Sequence, residues 1–110
     1  MNHQEHDARS LALHRLAIKR IREQPELLQT AHEIVTRWML TVAPHTRGYL
    51  ETWQYLIEQG VDALEEVACQ DDERSTALRQ SSPISCTLPI EERDEFRLTW
   101  KKDHPNGWPP

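Results

Sequence analysis

The chain has 110 residues, 37 % of them hydrophobic and 28 % charged, enough for one small domain and too few for a second. Thirteen Lys and Arg against 18 Asp and Glu leave a net charge of −5, the wrong sign for a protein that coats nucleic acid non-specifically. No apolar stretch approaches the roughly 20 residues of a membrane-spanning helix, and the start MNHQEHDARS lacks the basic-then-apolar order of a secretory signal, so a cytoplasmic protein off the membrane is expected. Cys69 and Cys86 have no CxxC spacing and are expected to stay reduced, with no structural zinc.

In chain order, Leu11, Ala17, Ile18 and Ile21 recur at about 100° per residue, with Leu13 at the edge of the arc, and predict an amphipathic helix over 4–23. Pro25 suits the first turn of a second helix. That helix is predicted over 25–42, because Leu27, Leu28, Ala31, Ile34, Val35, Trp38, Met39 and Val42 share one face. Residues 43–48 read as a connection around Pro44. A third helix buries Tyr49, Leu50, Trp53, Leu56 and Ile57 and stops at Gly60, in a left-handed conformation. Asp62 is expected to cap a fourth helix through Ala63, Leu64, Val67 and Ala68, and Asp71 or Asp72 a fifth through Ala77 and Leu78. Ser81-Ser82-Pro83 breaks that fifth helix, and the chain to Pro89 reads as extended or turn-like.

A last helix is expected from about Pro89, with Glu91 and Glu92 in its first turn and Lys101 and Lys102 in its last, as the helix dipole favours. Its apolar residues Ile90, Phe96, Leu98 and Trp100 scatter around it, so it has no single face to bury. The three glycines are each expected at a helix start or stop. These elements predict an all-α fold, a compact bundle of about five to six short helices in one domain over 1–103. Its core lies in about 11–68, and 104–110 forms a flexible, disordered tail.

Charge is unevenly placed. Residues 1–50 carry +2 and residues 51–110 carry −7, so the halves are expected to attract each other. Arg15, Lys19 and Arg22, at i, i+4 and i+7, form a basic stripe on the first helix. It is the candidate nucleic-acid contact of an alternative reading as a DNA-binding autoregulator. His3 and His6 flank Glu5 and Asp7 in a metal-like grouping, but a fraying terminus without a second shell is the better reading, and no metal or other cofactor is expected.

No nucleophile motif, phosphate loop or HExxH is present, and the chain is not expected to be an enzyme. An Arg followed four to six residues later by a His resembles the catalytic motif of the HEPN ribonucleases, and Arg9 with His14 and Arg97 with His104 both fit. Under that second alternative, a metal-independent ribonuclease, His14 is the general base and Arg9 stabilises phosphate charge. With so many Arg and His in a short chain, chance supplies such pairs, and a hydrogen-bonded core histidine is the expectation for His14.

Solvation explains residues 78–93 least well. They combine a weakly charged centre with Pro83 and Pro89, which lower the cost of ordering, and read as a docking segment or as a crossover that covers the core with Leu78, Ile84 and Leu88. Leu78-Arg79-Gln80, Ser82-Pro83 and Leu88-Pro89 followed by Glu92-Arg93 form an LRQ-x-SP…LP-x-x-ER pattern. With Trp38 and Trp53, the chain resembles a loose group of small, all-helical bacterial proteins. That resemblance implies the antitoxin or accessory half of a two-gene module, binding another protein, a toxin-like gene neighbour, with DNA bound by the complex and a homo-oligomer also open. Arg79, Gln80, Ser82, Pro83, Pro89, Glu92, Arg93 and Trp100 are the expected partner-binding residues, and Trp108 a further aromatic anchor. The acidic second half is expected to occupy a basic, RNA-binding cleft of the toxin.

Overall fold

The computed structural model describes residues 3–104. The described chain folds into six α-helices and one 3₁₀ turn, without strands: α1 His3–Glu23, α2 Glu26–Trp38, α3 Pro44–Gln59, α4 Val61–Ala68, α5 Glu73–Arg79, the turn Ser85–Thr87, and α6 Ile90–Asp103. Helices α1 to α4 form a closed ring, α1 on α2, α2 on α3, α3 on α4 and α4 back on α1, with α5 against α1 and α4. The expected arcs meet at the centre: Ala17, Ile18 and Ile21 from α1, Ala31 and Val35 from α2, Leu50, Trp53, Leu56 and Ile57 from α3, and Leu64 and Ala68 from α4.

Several local expectations need correction, beginning with Tyr49, which was expected on the buried face of α3 but is 42 % exposed and lines a surface hollow beside α5. The 43–48 connection is shorter, because Pro44 takes the first position of α3, where its missing N–H costs nothing, and Ala43 before it is extended at φ −64°, ψ 146°. α2 accordingly ends at Trp38, short of Val42, and unwinds through Leu40 N–H to Arg37 O and Thr41 N–H to Trp38 O. Gly48 lies inside α3. Asp62 does not cap α4. Gly60 ends α3 and begins α4, and its φ of 111° with ψ 175° lies outside the left-handed helical basin, in a region closed to residues with a Cβ.

Asp72 caps α5 as expected, accepting from Ser75 N–H at 2.7 Å. The core does not stop at residue 68. Leu78, Ile84 and Leu88 belong to the same cluster, so residues 78–88 cross the bundle as its cover. α6 starts where expected and buries none of its residues. His104 N–H closes its last turn on Trp100 O at 2.9 Å, and the remainder of the expected 104–110 tail lies outside the described residues, as does Trp108. No helix among the described residues is long and apolar enough to cross a membrane.

Candidate protein-binding face

The residues expected to meet a partner divide into two sets. Arg79 is only 5 % exposed. Its Nη1 donates to Ala68 O at 3.1 Å and Gln70 O at 2.6 Å, and its Nη2 to Thr76 Oγ1 at 3.2 Å, so it closes carbonyls at the end of α4 that the helix leaves without partners. Burial lowers its pKa, opposed by the charges of Asp71 and Asp7. Ser82 and Pro83 are buried as well. These three are therefore corrected from docking residues to structural ones: the bend they form is spent on the protein's own core. Gln80 and Pro89 are exposed, Pro89 as the residue before α6. Glu92 meets Arg20, with Nε to Oε1 at 2.8 Å and Nη2 to Oε2 at 3.1 Å. Arg93 and Trp100 stay half-exposed on α6.

His14 is the core histidine expected. Its Nδ1 lies 2.7 Å from Ser10 O, and because a carbonyl can only accept, Nδ1 carries the proton. Nε2 then accepts from the Ser82 hydroxyl at 2.8 Å, while Ser82 Oγ accepts from Ile84 N–H at 3.0 Å. The imidazole lies nearly parallel to the Trp53 indole, centroids 6.2 Å apart. Burial pushes its pKa down to about 4, against the Ser10 hydrogen bond and with help from the nearby Arg79 charge. Both nitrogens are thus engaged within the fold, and burial favours the neutral ring. In the second Arg/His pair, His104 Nδ1 bonds Trp100 O at 3.0 Å, while Arg97 lies 3.8 Å from Asp94.

Of the basic stripe, Arg15 and Lys19 are exposed, but Arg22 donates to Asp62 and Glu65 at 2.9 Å each. Its charge is neutralised by α4. The same pairs spend part of the acidic half that was expected to imitate RNA, since Asp62, Glu65 and Glu92 face arginines of α1. Among the described residues no three metal-ligating side chains converge; the His3 side chain lies outside them.

The unspent surface is on α6. At 100° per residue, Arg93, Arg97 and Lys101 form one row and Phe96, Trp100 and His104 the adjacent row. The rings stack along the helix: Phe96 to Trp100 at 6.0 Å and 26°, Trp100 to His104 at 4.1 Å and 20°. Between this face and α1 lies a cleft of about 390 Å³ lined by Arg9, Leu13, Ile90, Arg93, Asp94, Phe96 and Arg97. Through Arg9 and Leu13 it adjoins a more polar cleft of about 430 Å³ against α5, where Gln80 lies. Arg93 Nε and Trp100 Nε1 are out of contact with water and have no hydrogen-bond partner, an uncommon state for buried donors. Apolar periodicity misses these rows because they are built from charge and aromaticity at a spacing of four. Arg9, Leu13 and Phe96 are the lining residues that sequence reasoning did not place together. No family model, curated protein or solved structure matches the chain.

Proposed function

We propose that the chain is a protein-interaction module, the antitoxin-like partner of a bacterial toxin, and that it receives its partner on α6 and in the cleft between α6 and α1. The observation that carries this reading is that α6, 14 residues long, buries none of them, although helices of this length depend on packing for their stability in water. An acidic, partly apolar segment suits the cleft, since Arg9, Arg93 and Arg97 outnumber Asp94 there and Phe96 and Ile90 supply apolar wall. A nucleic acid suits it less well. His104 at 4.1 Å already covers one face of the Trp100 ring, which reduces the area on which a base would stack. Arg93 and Trp100 keep the partner-binding roles the sequence suggested for them.

Co-expression with the product of the neighbouring gene, followed by affinity purification and titration, tests this. A complex is expected that Arg93→Glu/Arg97→Glu weakens by about 30-fold or more, the scale of losing interface hot spots, with an unchanged helical circular dichroism spectrum. Absence of a complex, or a complex that survives deletion of 90–110, overturns the reading.

A further inference from the structure

Arg79 carries a charge that the fold buries without neutralising. It is 5 % exposed, and each of its hydrogen bonds ends on a neutral oxygen, Ala68 O, Gln70 O or Thr76 Oγ1, while Nε has no partner. Among the described residues it forms no ion pair, and the charges of Asp71 and Asp7 act on it from beyond that range. A guanidinium held in this way is costly unless an anion stands near it. Arg79 lies in the wall of the cleft of about 430 Å³ between α1 and α5, a size that suits a small molecule. Arg9, half-buried and likewise without an ion pair among the described residues, lies in the same wall. Ser10, Thr76, Ser85 and Gln80 add hydroxyl and amide groups to it.

We propose that this cleft binds a small organic acid, a carboxylate that also carries a hydroxyl or amino donor. The wall holds two arginines and one aspartate, Asp7, so that, its histidines aside, one positive charge is left over, the match of a single carboxylate. Arg9 takes the carboxylate with its planar fork of donors. Arg79, its donors turned to the fold, contributes through its charge, which carries farther than a hydrogen bond in a wall of low dielectric. The Asp7 carboxylate can only accept, and so requires a donor elsewhere on the ligand. A phosphate dianion would leave an excess of negative charge beside Asp7. The cleft shares Arg9 and Leu13 with the one along α6, yet a ligand here needs no protein partner.

Amide NMR shifts of the isotope-labelled full chain near neutral pH, titrated with three four-carbon acids of similar shape, test the site. L-Threonine and β-hydroxybutyrate carry the donor, and butyrate lacks it. At least one of the first two is expected to shift Ser10, Thr76, Gln80 and Ser85 saturably. Its Kd should be about 1 mM or lower, and about tenfold or more below that of butyrate, the worth of one hydrogen bond to a charged group. Arg9→Gln is expected to raise that Kd about tenfold or more with an unchanged circular dichroism spectrum. Asp7→Ala is expected to erase the gap between the donor-bearing acids and butyrate. No saturable shift from any of the three at about 20 mM, or the same shifts from chloride at equal ionic strength, overturns the proposal. So does butyrate binding as tightly as the other two, or binding that Arg9→Gln leaves unchanged.

Discussion

His14 joins three parts of the chain through one ring: its own helix at Ser10, the connector at Ser82 and the core at Trp53. It does so only while neutral, because the second nitrogen must accept. An unfolded His14 titrates near its ordinary 6.5 and the folded one at about 4, so between these values the unfolded chain binds the extra proton. The stability that depends on neutral His14 is complete above pH 6.5 and is lost as pH falls toward 4, about 3 kcal/mol in all at about 1.4 kcal/mol per unit. Urea midpoints measured from about pH 6.5 down to 4.5 should fall for the wild type, and His14→Gln should flatten that slope. A wild-type slope unchanged by the substitution would contradict the clamp.

At the scale of elements, α5 shows how a seven-residue helix persists. It is too short to stand alone, and two polar devices hold it. Asp72 caps its start through Ser75 N–H, which holds the Asp72 carboxyl below its usual range, and Arg79 ties its last turn to the end of α4. Asp72→Ala is expected to lower Tm by about 5 °C, and Asp72→Asn much less, by thermal denaturation. The cap was legible to within one residue, Asp71 or Asp72, because an aspartate a few residues ahead of Ala77 and Leu78 suits a helix start, and the structure selects Asp72. The role of Arg79 was not, since a buried arginine on carbonyls looks in sequence like any exposed one. Asp62 misled for a related reason: Gly60 leaves α3 and enters α4 without a side-chain cap, and Asp62 turns to Arg22.

At the scale of the whole molecule, the basic and acidic halves are stitched together by α1, Arg22 to α4 and Arg20 to α6. The attraction suggested by their opposite charges is thus realised at specific pairs. α6 is held by Arg20–Glu92 and adds no buried side chain to the core. A chain ending at Pro89 should therefore melt within about 5 °C of the full chain, since partly exposed ion pairs contribute little. Calorimetry on the two chains checks this, and a much larger loss would mean that α6 belongs to the folding unit.

The sequence alone determined an all-α bundle of about five to six helices and most of the faces that α1 to α4 bury, Tyr49 excepted, because a period of 3.6 residues in apolar side chains is a local signal that survives into the fold. It narrowed the α5 cap to Asp71 or Asp72, which the structure resolves to Asp72, and it determined the absence of a buried stripe on α6. Only the tertiary structure decided what residues 78–89 cover. Prolines and small residues suit a core crossover as well as a docking strand, and the choice depended on His14, Trp53 and Ala68, which are distant in sequence and supply partners to Ser82, Leu78 and Arg79. It also decided that α6 faces α1 across Arg9 and Leu13, since no local pattern records which cations two separate helices bring to one cleft.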